Sequence, residues 1–136
     1  MPTSALIRAA AVLALVATTA LCAPSLARAQ SEAPAQACST VRGKANLTGQ
    51  SFAGPAVWKD GETFDFTLTF NADCSVRYGY RGEEWTSARW SQTARGVKID
   101  FNGGFAIYTG TRRGKVLSGK MTNVRDETGT WRFVQQ

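Results

Sequence analysis

Five side chains between positions 78 and 90 carry most of the chemistry this sequence offers: Tyr78, Tyr80, Trp85, Arg89 and Trp90. Rings that combine an apolar face with a polar tip are suited to holding a partly apolar ligand rather than to transforming one. The chain contains no histidine. That removes the commonest general base, the serine and cysteine triads that depend on it, and the commonest metal ligand. Carboxylates stand as adjacent pairs, Glu83-Glu84 and Asp126-Glu127, in turn-like sequence where solvated charge is the ordinary reading, and not as the spaced pair that glycoside hydrolysis needs. "NADCS" lacks the further acids of a calcium loop. "NGG" precedes a strand pattern instead of a helix, so it reads as a turn and not as a phosphate cradle. "NLT" at Asn46 matches a glycosylation sequon by three letters only. No catalytic residue, metal or cofactor is assigned, and the expected function is non-enzymatic.

The cysteines place the chain in a compartment. The opening "MPTSALIRAAAVLALVATTALCAPSLARAQ" has a cation at Arg8, an apolar run from Ala9 to Leu21 and the small-x-small pattern Ala27-Arg28-Ala29. This is the pattern of a secretory signal peptide over residues 1–29, with an apolar run too short to span a membrane as a helix. Cys22 lies inside it, and Leu21 before it argues against lipid attachment there. Cys38 and Cys74 remain as an even pair in an exported chain, the setting in which cysteines form disulfides. Residues 30–37, "QSEAPAQA", read as a flexible polar arm, and 38–136 as a single domain. The expected location is the periplasm or the extracellular medium.

The net charge is +6, and loss of Arg8 and Arg28 with the signal would lower it by two. The bias is mild. A nucleic-acid binder usually shows a denser basic stripe, so nucleic acid is not an expected partner. The one compact cluster is Arg112, Arg113 and Lys115, around Gly114. A solvated hairpin tip is its ordinary reading; its functional reading is a patch that docks on acidic glycans or lipids and weakens with salt.

These side chains must be positioned by strands. No segment shows helical periodicity, whereas period-two alternation recurs between turn signals. The clearest case is Phe64, Phe66, Leu68 and Phe70 on one face against Asp65, Thr67 and Thr69 on the other. A first strand is expected within Val41 to Phe52, with Gly54 to Glu62 as a loop. Further strands are expected at Val76 to Tyr80, in "EWTSARWSQ", at Val97 to Phe101, Phe105 to Thr111, Val116 to Thr122 and Thr130 to Val134. Asn102-Gly103-Gly104 is the strongest hairpin signal. About eight short antiparallel strands joined by tight turns predict an all-β, up-and-down barrel, because closure removes exposed sheet edges; a two-sheet sandwich is the alternative. An outer-membrane barrel is not expected. Its strands need an apolar outward band, and the outward positions here are Thr, Arg, Asp and Lys.

Register decides which rings meet. A two-residue turn at Gly82-Glu83 would set Tyr80 opposite Trp85, Tyr78 opposite Ser87 and Val76 opposite Arg89. Trp85, Ser87 and Arg89 would then face inward with the tyrosines, and Trp90 outward. A bulge near Thr86 to Ala88 would instead bring Trp90 in and turn Arg89 out, and the alternation fits both. An inward Arg89 would hold a carboxylate or phosphate ligand, or an internal acid.

A disulfide-bearing exported chain of this size, rich in hairpins and ending "SGKMTNVRDETGTWRFVQQ", resembles the small calycin-like barrels of bacteria: avidin-like and lipocalin-like binders, and periplasmic protease inhibitors of similar architecture. The likeness is one of outline over Cys38 to Gln136, and Gly43-Lys44-Ala45 stands where a lipocalin would have Gly-x-Trp. It implies a barrel that binds a small, partly apolar or anionic ligand in its open end. The other reading is a protein-interaction module, such as an inhibitor of a protease or cell-wall enzyme, acting through the arm or the loops. A hollow interior would favour the first and a filled one the second.

Overall fold

The computed structural model describes residues 37–136; the expected signal peptide, and the arm apart from Ala37, lie outside them. Eight strands follow in order: β1 (Ser51–Trp58), β2 (Thr63–Phe70), β3 (Ser75–Tyr80), β4 (Glu83–Thr93), β5 (Gly96–Phe101), β6 (Ala106–Arg113), β7 (Val116–Asn123) and β8 (Thr128–Gln135). Each pairs antiparallel with the next, and β8 pairs with β1, so the sheet closes into an up-and-down barrel. The sandwich alternative is thereby set aside. The outer wall is polar: Asp65, Thr67, Arg77, Lys98, Thr109, Lys120 and Arg132 are exposed. Among the described residues no helix is long and apolar enough to cross a membrane.

One strand lies where a loop was expected. Gly54-Pro55 reads as turn punctuation, yet both residues sit inside β1, paired with Phe66 and Asp65 of β2. The ladder to β8 skips them, running from Ala53↔Val134 to Ala56↔Trp131. Pro55 therefore occupies a stretch where its missing N–H costs no β8 bond. A side chain at Gly54 would run into the Arg132 carbonyl of β8, so glycine permits the close approach there.

The expected first strand, Val41 to Phe52, is instead mostly an irregular plug across one end of the barrel. It contains a single 3-10 turn at Gly43–Ala45 and buries Leu47 completely. Gln92 at the end of β4 holds it. Its amide Nε2 donates to the Ala45 carbonyl at 2.9 Å, and its Oε1 accepts from the Leu47 N–H at 3.1 Å and the Ser39 hydroxyl at 2.8 Å. The Cys38–Cys74 disulfide ties the start of the plug to the β2–β3 turn.

Rings fill the interior. Phe66, Tyr78, Phe101, Tyr108, Trp131 and Phe133 form a continuous series with centroids 4.7 to 6.2 Å apart. Phe52, Phe70 and Trp90 form a second group beneath the plug. Trp131 fits because Gly110 of β6 and Gly119 of β7 face each other beside it; a Cβ on Gly110 would lie 2.6 Å from its Cζ2. Contact at this density between bulky rings leaves the barrel packed rather than cupped.

Burial leaves its mark on Tyr108, which is 3 % exposed. Desolvation of the phenolate pushes its pKa above the usual tyrosine range. In the unfolded chain the same group ionises near pH 10. Stability is therefore unaffected by this residue below that pH and declines above it, as the unfolded state alone loses its proton. A Tyr108→Phe variant is expected to show a flatter fall in stability between about pH 10 and 11 than the parent, measured by denaturant unfolding; parallel curves would contradict this.

Candidate functional site

The two ends of the barrel differ. The plug seals the end formed by the β2–β3, β4–β5 and β6–β7 turns. The opposite end, at the β1–β2, β3–β4, β5–β6 and β7–β8 turns, is left to its own side chains, and these are aromatic. Phe64, Phe66 and Tyr80 are half-buried and Trp85 is 37 % exposed. Phe64 and Phe66 stack 6.1 Å apart along β2, and Tyr80 lies 5.2 and 5.7 Å from them. Trp85 stacks on Tyr78 at 5.4 Å, its face continuing the layer towards solvent. Phe105, 48 % exposed, and Val124, 64 % exposed, stand on turns at the same end.

The β3–β4 turn builds this layer. It is formed by Arg81-Gly82, with φ of 51° and 83°, one residue earlier than the expected Gly82-Glu83. Two-residue turns that match strand twist need positive φ at both positions; Gly82 meets that readily, and Arg81 follows with its guanidinium over the Tyr80 ring at 5.0 Å. Tyr80 thus pairs with Glu83 and Tyr78 with Trp85. Between Tyr78↔Trp85 and Val76↔Ala88 the register shifts, with one extra residue on β4. This bulge reverses the parity of β4. Trp85 faces in before it, and Ala88, Trp90 and Gln92 face in after it, so both tryptophans point inward from a single strand.

The bulge corrects two expectations. Arg89 does not face the interior: it is exposed on the outer wall, and its Nη1 donates to the Asp73 carbonyl at 3.3 Å. Asp73 itself is held below the usual carboxylate range, chiefly by hydrogen bonds from the Ser75 hydroxyl and N–H and to a smaller degree by Arg89. Trp90 does face inward, but deep beneath the plug, 4 % exposed, against Phe70 and with its indole N–H on the Asn71 carbonyl at 3.0 Å. Of the five residues proposed from sequence, Tyr78, Tyr80 and Trp85 are brought together at the open end, and Arg89 and Trp90 are not.

Other members were missed. Phe64 and Phe66 read as ordinary core because alternation gives the face but not the height along the barrel. A polar cluster stands beside the rings, where the Tyr78 hydroxyl bonds to Ser87 Oγ at 2.9 Å and to Asn102 Oδ1 at 3.3 Å. Asn102 reads as a turn residue, and with φ of 51° it is one.

The basic cluster is divided as well. Arg113 and Lys115 are exposed, but Arg112 shares the inward parity of Tyr108 on β6 and bends over the sealed end, half-buried. Its guanidinium lies 5.5 Å from the Phe52 ring centre and donates to Gly114 O at 2.8 Å, Gln50 Oε1 at 2.8 Å and Gln135 Oε1 at 3.0 Å. The expected three-cation surface patch is therefore a pair plus an inward arginine.

The open end offers ring faces, one exposed indole and a neutral hydroxyl–amide cluster. Among the described residues no group of His, Cys, Asp and Glu is placed to hold a metal ion. Compared with protein-family models, curated proteins and solved structures, the chain matches none.

Proposed function

We propose that this is an exported, non-catalytic binding protein that takes a small, partly apolar ligand across the open end of its barrel. The supporting observation is the asymmetry of the two ends among the described residues: a whole segment seals one, while at the other Phe64, Phe66 and Tyr80 are only half-buried and Trp85 is exposed. The filled interior counts against a ligand held inside the barrel, so the ligand proposed here lies against the ring layer instead of being engulfed. A flat apolar face would stack on Trp85 and Phe64, and a polar edge would reach the Tyr78–Ser87–Asn102 cluster. Export rests on the N-terminal sequence pattern and agrees with the Cys38–Cys74 disulfide. On this reading the site is shallower than the open cup that the calycin-like resemblance implies.

The test uses N-phenyl-1-naphthylamine, a neutral planar probe. Saturable binding with quenching of tryptophan fluorescence is expected for the parent. The combined Trp85→Ala, Tyr80→Ala variant should bind about tenfold more weakly, since each ring contact is worth roughly 0.5–1.5 kcal/mol. Unchanged affinity in the variant would refute the site. A protein-interaction module, such as an enzyme inhibitor, is the second reading, favoured by the filled interior; there the same rings would be an anchor for a partner surface, and the small probe would fail to saturate.

A further inference from the structure

The sealed end carries a second feature, independent of the open end. Between the plug and the tips of the β4–β5 and β6–β7 hairpins lies a cleft of about 530 Å³, within the size range of small-molecule sites. Lys44, Arg95 and Arg112 line it, with Val41 and Val97 as apolar wall, and no carboxylate is among its lining residues. Among the described residues three cations thus gather around one concavity, and no acid lines it.

Arg112 makes the arrangement more than a set of surface charges. It is half-buried, and the partners that hold it are neutral oxygens of Gly114, Gln50 and Gln135. These hydrogen bonds engage three of its five N–H donors and fix its position without cancelling its charge. A cation fixed in a concave, partly apolar wall is screened less than one in open solvent, and the walls focus its field into the cleft. Lys44 and Arg95, both exposed, are free to close on a ligand from the rim, and Thr93 and Thr111 add hydroxyls to the lining.

We propose that this cleft binds a small organic anion bearing a carboxylate or phosphate group, with Arg112 as the fixed charge of the floor and Lys44 and Arg95 as the contacting cations. The volume suits a molecule of metabolite size, and Val41 and Val97 accept a short apolar portion.

Amide NMR of the 15N-labelled protein, titrated with citrate and separately with glycerol 3-phosphate, tests the proposal, with glycerol as the neutral control. Saturable shifts are expected at Lys44, Ala45, Arg95, Gly96 and Gly114 with at least one of the two anions, and which of them binds assigns the preferred group. Raising salt from about 0.1 M to about 0.5 M should weaken the binding several-fold, because the screening length more than halves. The exposed pair Lys44→Gln, Arg95→Gln should weaken it about tenfold, two exposed charge contacts being removed, whereas Trp85→Ala should leave it unchanged. The absence of saturable shifts at the cleft with both anions would overturn the proposal. So would equal binding by the double variant, or non-saturating shifts spread over Arg113 and Lys115. The salt and glycerol arms use the parent protein and hold whatever the variants do.

Discussion

Replacing Phe70 by alanine is expected to cost about 3–5 kcal/mol of folding stability, the range for emptying a fully buried phenylalanine site. Phe70 is 0 % exposed and packs edge-on against Phe52 at 5.7 Å and Trp90 at 5.3 Å. Its backbone also joins barrel to plug, accepting from Gly49 N at 2.7 Å and donating to Gln50 O at 3.1 Å. The cavity would thus open where two layers meet, and neither can relax into it without moving the other. For a domain of this size, a loss of that order lowers the melting temperature by roughly 15–30 °C. Phe64→Ala, at the half-buried open end, removes far less buried contact and should cost about a third as much or less. Calorimetry on the two variants checks the ordering. Similar losses would mean that the open-end rings are as deeply packed as the core, and would count against a ligand site there.

Removing the disulfide as Cys38→Ala, Cys74→Ala is expected to cost about 4 kcal/mol on the chain-entropy account, since the bridge closes a loop of 36 positions. The loss should be uneven. The strands keep their ladder, but the plug is then held by Gln92, the buried Leu47, the hydrogen bond of Arg112 to Gln50 and a few backbone bonds, among them Thr40 N to Gln92 O at 3.0 Å. Hydrogen exchange should therefore speed up at Thr40, Leu47 and Gly49 before it does at β5 to β7, as a locally opening unit. A uniform loss of protection across the barrel would show that plug and barrel unfold as one body. An unchanged melting temperature would show that Gln92 and Leu47 suffice to hold the end closed.

Much of the architecture is legible in the residue pattern because period-two alternation and turn chemistry are local properties. "FDFTLTF" declares its two faces directly, and Asn102-Gly103-Gly104 declares a turn through the positive φ values all three adopt. The failures have local causes too. Gly54-Pro55 carries the same signal in a turn as in a strand whose neighbour must come close on one side. The Gly43 to Gly49 segment has strand-like neighbours but spends its hydrogen bonds on Gln92 and the strand ends, a choice made by the barrel opening it covers.

The amino-acid sequence by itself determined the all-β class, the strands β2 to β8 with the turns between them to within a residue or two, and the cysteine pair, all of which depend on neighbours a few positions apart or on parity in number; β1 was misplaced. Only the tertiary structure decided the site. One bulged residue in β4 sets whether Arg89 or Trp90 faces inward, because it reverses the parity of every residue after it. Height along the barrel separates Trp85 at the open end from Trp90 beneath the plug. Parity on β6 turns Arg112 away from Arg113, and the packing of the sealed end brings it over Phe52. Alternation left both parities of β4 open because a bulge in the β3–β4 hairpin leaves no mark on the residue pattern, whereas height along the barrel and the contact of Arg112 with Phe52 depend on elements far apart in sequence.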